Sequence, residues 1–433
     1  MAEPSLDDLD IHSTDLYVSR GYPWREWDLM RREAPVFWYE RESIDPFWAV
    51  TRHADILTVS KRSDVFVNSR RLRLQDRVED ERQGHYMRLR ADAMGWDPKE
   101  PHDFIFMDDP RHRKFRLITA RRFTPAALNG LQEHFEELSL GFAEELRAEL
   151  TSAAKRGVPC DFVRAFAEKL PLAAIGEMLG LPAGDWQRLK VLTNVLIGAP
   201  EPDFQEAGED RQACLRRAVT ELLGYNLELI ESRRADGARG DDLASLLLRG
   251  EVDGKPLTNQ QLQGYLNLLL VAGNETTRNA LTGGVQALLE NPGERDRLCA
   301  NPKLVVSAVE EMLRWTSPVV QFARTAVRDF ELAGVRIHAG QDVGIWYPSA
   351  NRDESVFAEP YRFDITRSPN HHLAFGGYGA HFCLGANLAR WEMRAALRAL
   401  LPILPSMELA GPEQRIPFLH VPAIHALPVR LAA

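Results

Sequence analysis

The chain is poor in cysteine. Its 433 residues hold four, Cys160, Cys214, Cys299 and Cys383, and none forms a C-x-x-C pair. That argues against a zinc cage and a disulfide framework, and it fits a reducing compartment. Long apolar runs are missing too. Stretches such as Leu268 to Ala272 fall far short of the roughly 20 residues that cross a bilayer. Met1 to Asp15 is acidic and polar, so no signal peptide or membrane anchor is expected there. Positive charge is not in excess: the net charge is −9, so the surface as a whole is not built for nucleic acid. A cytoplasmic protein without a membrane anchor is expected. What the chain has in quantity is apolar side chains, 45% of the total, enough for a large core.

One cysteine stands in a special setting. In His372-Leu-Ala-Phe-Gly-Gly-Tyr-Gly-Ala-His-Phe-Cys-Leu-Gly385, three glycines lie just ahead of Cys383. His381 is two before it, Gly385 two after, and a helical pattern from Ala386 to Leu401 follows at once. Cys383 is therefore expected in a glycine-rich loop at the mouth of a helix, where backbone N–H groups and the positive helix end favour a thiolate. Gly377 and Gly379 would let the backbone pass close to something flat and large. A thiolate under a planar cofactor is one way haem iron is held.

Gly-x-Gly-x-His-x-Cys-x-Gly, here Gly377, Gly379, His381, Cys383 and Gly385, resembles the cysteine-ligand loop of the cytochrome P-450 superfamily. That family usually has Phe seven residues before the cysteine; here Gly376 takes that place and Phe375 stands one earlier. The Phe-Gly-Gly-x-Gly-Ala-His variant is similar to a bacterial subgroup that hydroxylates sterol side chains and methyl-branched lipids. The resemblance implies a mainly α fold with a minor β portion, the cytochrome P-450 fold, and a single domain over residues 1–433. It implies haem b (iron protoporphyrin IX), with Cys383 as the metal ligand and Phe375 and Gly377 beside the cofactor.

The longest helical pattern runs from Thr258 to Glu290. Thr258 and Gln261 make a capping box at its start, and Asn291-Pro-Gly ends it. About 33 residues at roughly 1.5 Å each span about 50 Å, enough to cross the whole protein. Its middle, Leu266 to Ala272, is apolar almost all round, and then comes Ala272-Gly-Asn-Glu-Thr-Thr277. Gly273 weakens the helix, Glu275 is an ionisable group in a buried stretch, and Thr276 can turn its hydroxyl to the carbonyl of residue 272. A gap, a hydroxyl and an acid suit the holding of dioxygen and the passing of protons. The segment resembles the family's oxygen-activation motif, which implies catalytic roles for Thr276 (hydroxyl) and Glu275 (proton relay).

A helix starting at Asp108-Asp109-Pro110 and running to about Phe123 carries His112 and Arg116 on one face. By resemblance these two, with Arg324 and His381, neutralise the haem propionates. The same helix holds Arg111, Arg113, Lys114, Arg121 and Arg122, a basic cluster on an acidic chain, which suits docking of an acidic ferredoxin or flavin-type electron donor. Asn301-Pro302 opens a helix with Glu311-x-x-Arg314. The resemblance implies that Arg362, in Pro360-Tyr-Arg-Phe, closes a structural Glu-Arg-Arg network with them.

Elsewhere the patterns predict a helix over Trp24–Glu33, a hairpin from Val36–Tyr39 and Phe47–Thr51, a helix over Arg52–Ser60, and helices within 126–155, 161–180, 184–196 and 208–235. Residues 325–346 read as a small sheet, residues 66–106 as an irregular functional loop, residues 1–20 as a loose tail, and Gly198-Ala-Pro-Glu-Pro202 as a flexible lid. Val271, Ala272, Val319, Val320, Phe322 and Leu419 are expected in the substrate pocket.

The reading is a monooxygenase that inserts one oxygen atom of O2 into a C–H bond of a hydrophobic small molecule, a steroid, terpenoid or branched lipid. No nicotinamide or flavin fingerprint is present, so electrons are expected from external redox partners. The alternatives are a tailoring oxidase of a secondary metabolite and a haem sensor or carrier without catalysis.

Overall fold

The computed structural model of the chain describes residues 5–196, 205–206 and 208–432. Helices dominate. The N-terminal half holds α1 (Thr14–Ser19), α2 (Trp24–Glu33), α3 (His53–Lys61), α4 (Arg77–Met94), α5 (Arg111–Ala120), α6 (Pro125–Leu128), α7 (Gln132–Arg156), α8 (Lys169–Leu179) and α9 (Trp186–Leu196). Then come α10 (Arg211–Ala235), α11 (Leu243–Arg249), α12 (Asn259–Glu290), α13 (Pro292–Ala300), α14 (Val305–Thr316), α15 (Tyr347–Ala350) and α16 (Ala386–Leu400).

The largest sheet draws on β1 (Val36–Arg41), β2 (Ile44–Val50) and β3 (Phe66–Val67). Short strands follow: β4 (Cys160–Asp161), β5 (Glu251–Val252), β6 (Lys255–Pro256), β7 (Gln321–Ala326), β8 (Phe330–Leu332), β9 (Val335–Ile337) and β10 (Asp342–Trp346). The C-terminal ones are β11 (Met407–Leu409), β12 (Gln414–Arg415), β13 (Ile424–Ala426) and β14 (Pro428–Leu431). The five-stranded sheet has the order β1-β2-β10-β7-β3, with β10 parallel to β2 and antiparallel to β7.

α12 is the axis of the molecule. Its capping box forms as the residue types require: Gln261 N–H donates to Thr258 Oγ1 at 3.3 Å and Thr258 N–H to Gln261 Oε1 at 3.0 Å. The main core lies where α7, α12, α14 and α16 meet, through Leu146, Leu150, Leu281, Leu288, Val309, Met312, Leu397 and Leu400. Each such side chain contributes about 1.5–3 kcal/mol by leaving water. Among the described residues no helix is long and apolar enough to cross a membrane.

Two expectations fail. Residues 1–20 are not a loose tail over their described part, because Leu9, Ile11 and Tyr17 are buried against Trp27, Met30 and Phe47. The Tyr17 hydroxyl donates to the Ile11 carbonyl at 2.9 Å. Residues 66–106 are not irregular throughout, since α4 fills their centre with Asp76 capping the Glu79 N–H. Its charges are spread around the helix, so it has no apolar stripe for a periodicity argument to find. The expected lid at Gly198–Pro202 lies outside the described residues.

Candidate functional site: a thiolate loop facing unpaired cations

Cys383 sits in a tight loop leading into α16. Its N–H donates to the Phe375 carbonyl at 3.0 Å, and Phe382 N–H donates to the Gly379 carbonyl at 3.0 Å. Gly376 turns the chain at φ +95°, a conformation that suits glycine. Gly377 and Gly379 also meet a neighbour that their pattern does not predict. A Cβ on Gly377 would stand 2.3 Å from Ser60 Oγ, and one on Gly379 only 1.7 Å from the Ser60 carbonyl oxygen. α3 therefore leaves no room for a side chain at either position. Cys383 keeps accessible surface, yet the protein packed around it pushes the thiol up, while the Gly385 N–H, Arg116 and Arg390 pull the other way. A bound metal cation is what would settle such a sulfur as thiolate.

Across from this loop four nitrogen-bearing side chains converge. α5 supplies His112 and, one turn on, Arg116; β7 supplies Arg324; the loop supplies His381. The rings of His112 and His381 are 3.9 Å apart. Among the described residues neither ring nitrogen of His112 has a hydrogen-bond partner, nor does His381 Nδ1, and all three atoms are buried. Asp109 comes no closer to His112 than 3.5 Å. Arg324 is buried and donates to the neighbouring Ala323 carbonyl at 2.7 Å. Among the described residues no carboxylate is within ion-pair distance of Arg116 or Arg324. Burial depresses the pKa of Arg116, Arg324 and His112, and takes that of His381 down to about 2, with Arg324 and His112 adding repulsion. Four groups that disfavour one another's charge, set around one space, fit an anionic ligand with two carboxylates. The two propionates of a haem over a cysteine ligand match that description.

The middle of α12 opens at the expected place. Ala272 is exposed, and Val271 and Gly273 are partly so, in a helix that is otherwise buried on either side, which marks an internal space there. A Cβ on Gly273 would meet Ile175 of α8 at 2.9 Å, so this glycine permits close helix packing. Thr276 Oγ1 donates to the Ala272 carbonyl at 2.9 Å, the back-bond that loosens the helix. Glu275 is buried, forms an ion pair with Arg278 one turn on, and accepts from Asn274 Nδ2 at 3.2 Å. Arg278 in turn donates to Asn194 of α9 at 3.2 Å.

Behind the cysteine loop stands a closed charge network. Glu311, fully buried, accepts from Arg314 at 2.7 and 2.8 Å, from the Asp364 N–H at 2.9 Å and from Asn370 at 3.1 Å. The second arginine is Arg367, whose Nε lies 3.2 Å from Glu311. Arg362, the residue expected there, is exposed and pairs with Glu359 at 3.1 Å. Only its carbonyl belongs to the network, accepting from Arg314 and Arg367. The turn after Pro360 points the 362 side chain outward and returns the chain inward five residues later, which spacing alone does not reveal.

Comparison with known proteins decides the assignment. The cytochrome P-450 family profile matches residues 300–403. The methyl-branched lipid omega-hydroxylase of Mycobacterium tuberculosis is 36% identical over 436 residues, 99% of this chain and 95% of its own length. This chain belongs to the cytochrome P-450 family. A steroid C26-monooxygenase of Rhodococcus jostii is 37% identical, over 96% of this chain and 83% of its own. A cytochrome P-450 of Mycobacterium marinum, solved in complex with pseudoionone, superposes with a TM-score of 0.85 at 33% identity, covering 99% of this chain and 100% of that one. The protein is thus a haem-dependent monooxygenase that acts on hydrophobic molecules and takes electrons from external redox partners.

Within this P-450 the expected pocket residues divide. Val271 and Val319 pack with Phe418 on a small cluster of Ile416, Val421 and Ala423. The Phe322 ring lies 4.7 Å from the ring of His420 and 5.7 Å from the Arg324 guanidinium. Val320 and Leu419 are instead core residues, buried with Leu9, Trp27 and Trp346. The C-terminal loop turns Leu419 inward and leaves its neighbours Phe418 and His420 partly accessible.

Sequence reasoning also missed a second brace. Glu310, next to Glu311, accepts from Arg390 at 2.8 and 2.9 Å and from His372 Nε2 at 3.0 Å. Burial alone would raise its pKa; those bonds hold it down to about 2. His372 Nδ1 accepts from the Ala374 N–H at 3.2 Å, so its proton is on Nε2. Arg390 lies 4.4 Å from the ring of Phe375, whose carbonyl holds the Cys383 N–H. The signal available was His372 at the start of the cysteine stretch, but no spacing rule links it to residue 310.

Proposed function

We propose that the protein hydroxylates a lipid-like substrate, a steroid, terpenoid or methyl-branched chain, at a C–H bond. The observation that carries this is the apolar and aromatic wall of Val271, Val319, Phe322 and Phe418 beside the opened turn of α12. The likeness to a methyl-branched lipid omega-hydroxylase and a steroid C26-monooxygenase supports the same class.

When bound, haem supplies the oxidising chemistry: with dioxygen, two electrons and two protons, one oxygen atom enters the C–H bond and the other leaves as water. Cys383 would hold the iron. His112, Arg116, Arg324 and His381 would hold the propionates and be relieved of their mutual repulsion in doing so. Thr276 keeps a hydroxyl at the opened turn and offers it to oxygen. Glu275 delivers protons toward Thr276 when its pairing with Arg278 loosens. The apolar wall orients the substrate and excludes water.

The electron donor docks on α5. Three cations of α5 and the turn after it already have acids: Arg111 pairs with Glu100, Lys114 with Asp253 and Arg122 with Asp241. Arg113 and Arg121 have no such partner among the described residues, and with the exposed Leu117 they stand at four-residue spacing on one face. An acidic ferredoxin or flavoprotein fits that stripe.

The test is spectral titration of the haem-loaded protein with sterols, terpenes, branched fatty acids and aromatic polyketides. A shift with the first three classes is expected; a response confined to polyketides would overturn the lipid reading. Thr276→Ala is expected to lower product formed per electron pair consumed by about tenfold or more, whereas a non-catalytic haem carrier would be indifferent to it.

A further inference from the structure

A line of oxidisable rings runs from the cradle of the cysteine loop to the surface. Tyr347 begins it. A Cβ on Gly376, in that loop, would stand 3.9 Å from the Tyr347 hydroxyl oxygen, and the Tyr347 ring lies 6.2 Å from that of Phe322. Tyr347 also acts electrostatically on Arg324. Trp346, the residue before it at the end of β10, enters a different core. Tyr347 packs with Val343 and Ile345, Trp346 with Tyr17 and Trp27. The pair thus carries the line through the five-stranded sheet. The rings of Trp346 and Trp27 are 5.8 Å apart, those of Trp27 and Trp24 5.4 Å, and those of Trp24 and Tyr361 5.9 Å. Exposure rises in the same order: Trp346 and Trp27 are fully buried, Trp24 is partly accessible and Tyr361 is 44% exposed.

Edge-to-face packing of this kind serves any core. The proton partners along the line are what distinguish it. Among the described residues the indole N–H groups of Trp346 and Trp27 are buried and without a hydrogen-bond partner. No base is there to take a proton, so either ring, once oxidised, keeps its positive charge and hands it on. The Arg352 guanidinium lies 4.7 Å from the ring of Trp24 and 5.9 Å from that of Tyr361, and its charge opposes a positive charge resting on Trp24. Tyr361 differs. Its hydroxyl donates to the Asp28 carboxylate, which also pairs with Arg31. A phenol that gives up its proton to an acceptor as it gives up an electron ends neutral, so the hole settles there. Tyr378, in the cysteine loop itself and 55% exposed, stacks on Phe382 at 5.1 Å, but among the described residues its hydroxyl has no such acceptor.

We propose that this line drains oxidising equivalents to the surface when no substrate takes the oxygen atom, with Tyr361 as the exit and a soluble thiol as the reductant. An electron leaves Tyr361 and moves inward along Trp24, Trp27, Trp346 and Tyr347. The phenolic proton goes to Asp28 and from there to water. A thiol returns a hydrogen atom to the Tyr361 phenoxyl, and two thiyl radicals join as a disulfide. Two rounds therefore turn two thiols into one disulfide, release two protons and send two electrons inward. Those electrons, with two protons, let the unused oxygen atom leave as water. Tunnelling falls off exponentially with distance, so hops between rings in near contact outrun one long jump. The route asks nothing of the substrate's identity and stands or falls apart from the lipid reading.

The experiment treats the haem-loaded, substrate-free protein with hydrogen peroxide in the presence of a nitroso spin trap and maps the adducts by peptide mass spectrometry. The adduct is expected on Tyr361, and glutathione added beforehand should suppress it. Trp24→Phe should remove the adduct although Tyr361 is still in place. Tyr361→Phe, at an exposed position, should leave the carbon monoxide difference spectrum unchanged and make the haem bleach severalfold faster under peroxide. An adduct on Tyr378 with none on Tyr361 overturns the route, as does the absence of any tyrosine adduct. An adduct on Tyr361 that persists in Trp24→Phe overturns it too, because the rings then pass nothing on. Equal bleaching of the unaltered protein and Tyr361→Phe overturns the protective role, and it decides alone where Trp24→Phe fails to take up haem.

Discussion

The two sides of the cysteine loop handle charge in opposite ways. Behind it every ion is answered: Glu311 by Arg314 and Arg367, Glu310 by His372 and Arg390. In front of it, His112, Arg116, Arg324 and His381 face one another, and among the described residues their nearest carboxylate is that of Asp109, 3.5 Å from His112. The back is complete as folded. The front is a set of groups whose electrostatics are unfavourable until an anionic ligand joins them. Mutation at the back should therefore damage folding, and mutation at the front should damage ligand retention while sparing the haem-free protein.

The largest effect expected is that of Cys383→Ala, which should remove the pigment and the thiolate signature of the carbon monoxide difference spectrum together. Next is Glu311→Gln, which leaves two guanidinium groups beside a neutral amide in a fully buried site. It should lower the unfolding free energy by about 3–5 kcal/mol in denaturant titrations. Arg367→Ala should move the same way. Arg362→Ala, an exposed pair, should change it by less than about 1 kcal/mol; equal losses at 362 and 367 would erase the distinction drawn between them.

Arg324→Gln sharpens the contrast from the other side. Haem transfer to a competing apoprotein should speed up by about tenfold or more, because a charge-assisted contact is lost. The haem-free protein should be no less stable, and a loss of stability there equal to that of Glu311→Gln would break the comparison. The smallest effect concerns pH. Burial holds the pKa of His372 below that of a free histidine, and that of His53 likewise. The unfolded chain then takes up protons below about pH 6.5 that the folded one refuses, so stability is present above that pH and lost as pH falls below it. The share of Glu310 persists until pH drops below its unfolded value, toward about 2. Thermal melts from pH 7.5 to 5 should show a decline, shallower by less than about 1.4 kcal/mol per pH unit in His372→Asn.

What could be read in the chain follows from how local each signal is. The cysteine loop, the capped α12 with its Thr276 back-bond, and the Glu311–Arg314 pair are short-range patterns, and they stand where the residue types predict. The choice between Arg362 and Arg367 depends on a turn, and both are arginines in one short run. The second brace joins residues 310, 372 and 390, whose proximity only the packing of α14 on α16 creates. Leu419 and Val320 misled because a place in the chain near a pocket does not say which side chains look into it. α4 was hidden by its own charges, and the N-terminal segment by its lack of period.

The contact between the loop glycines and Ser60 has a practical bearing on recombination. Because the main chain of residues 377–379 runs against the backbone of α3, a thiolate segment transplanted from a relative must arrive with the helix it evolved against. Chimaeras that exchange residues 372–385 alone, into a host whose corresponding helix stands further out or carries a larger residue at position 60, should misplace the sulfur even where every loop residue is identical.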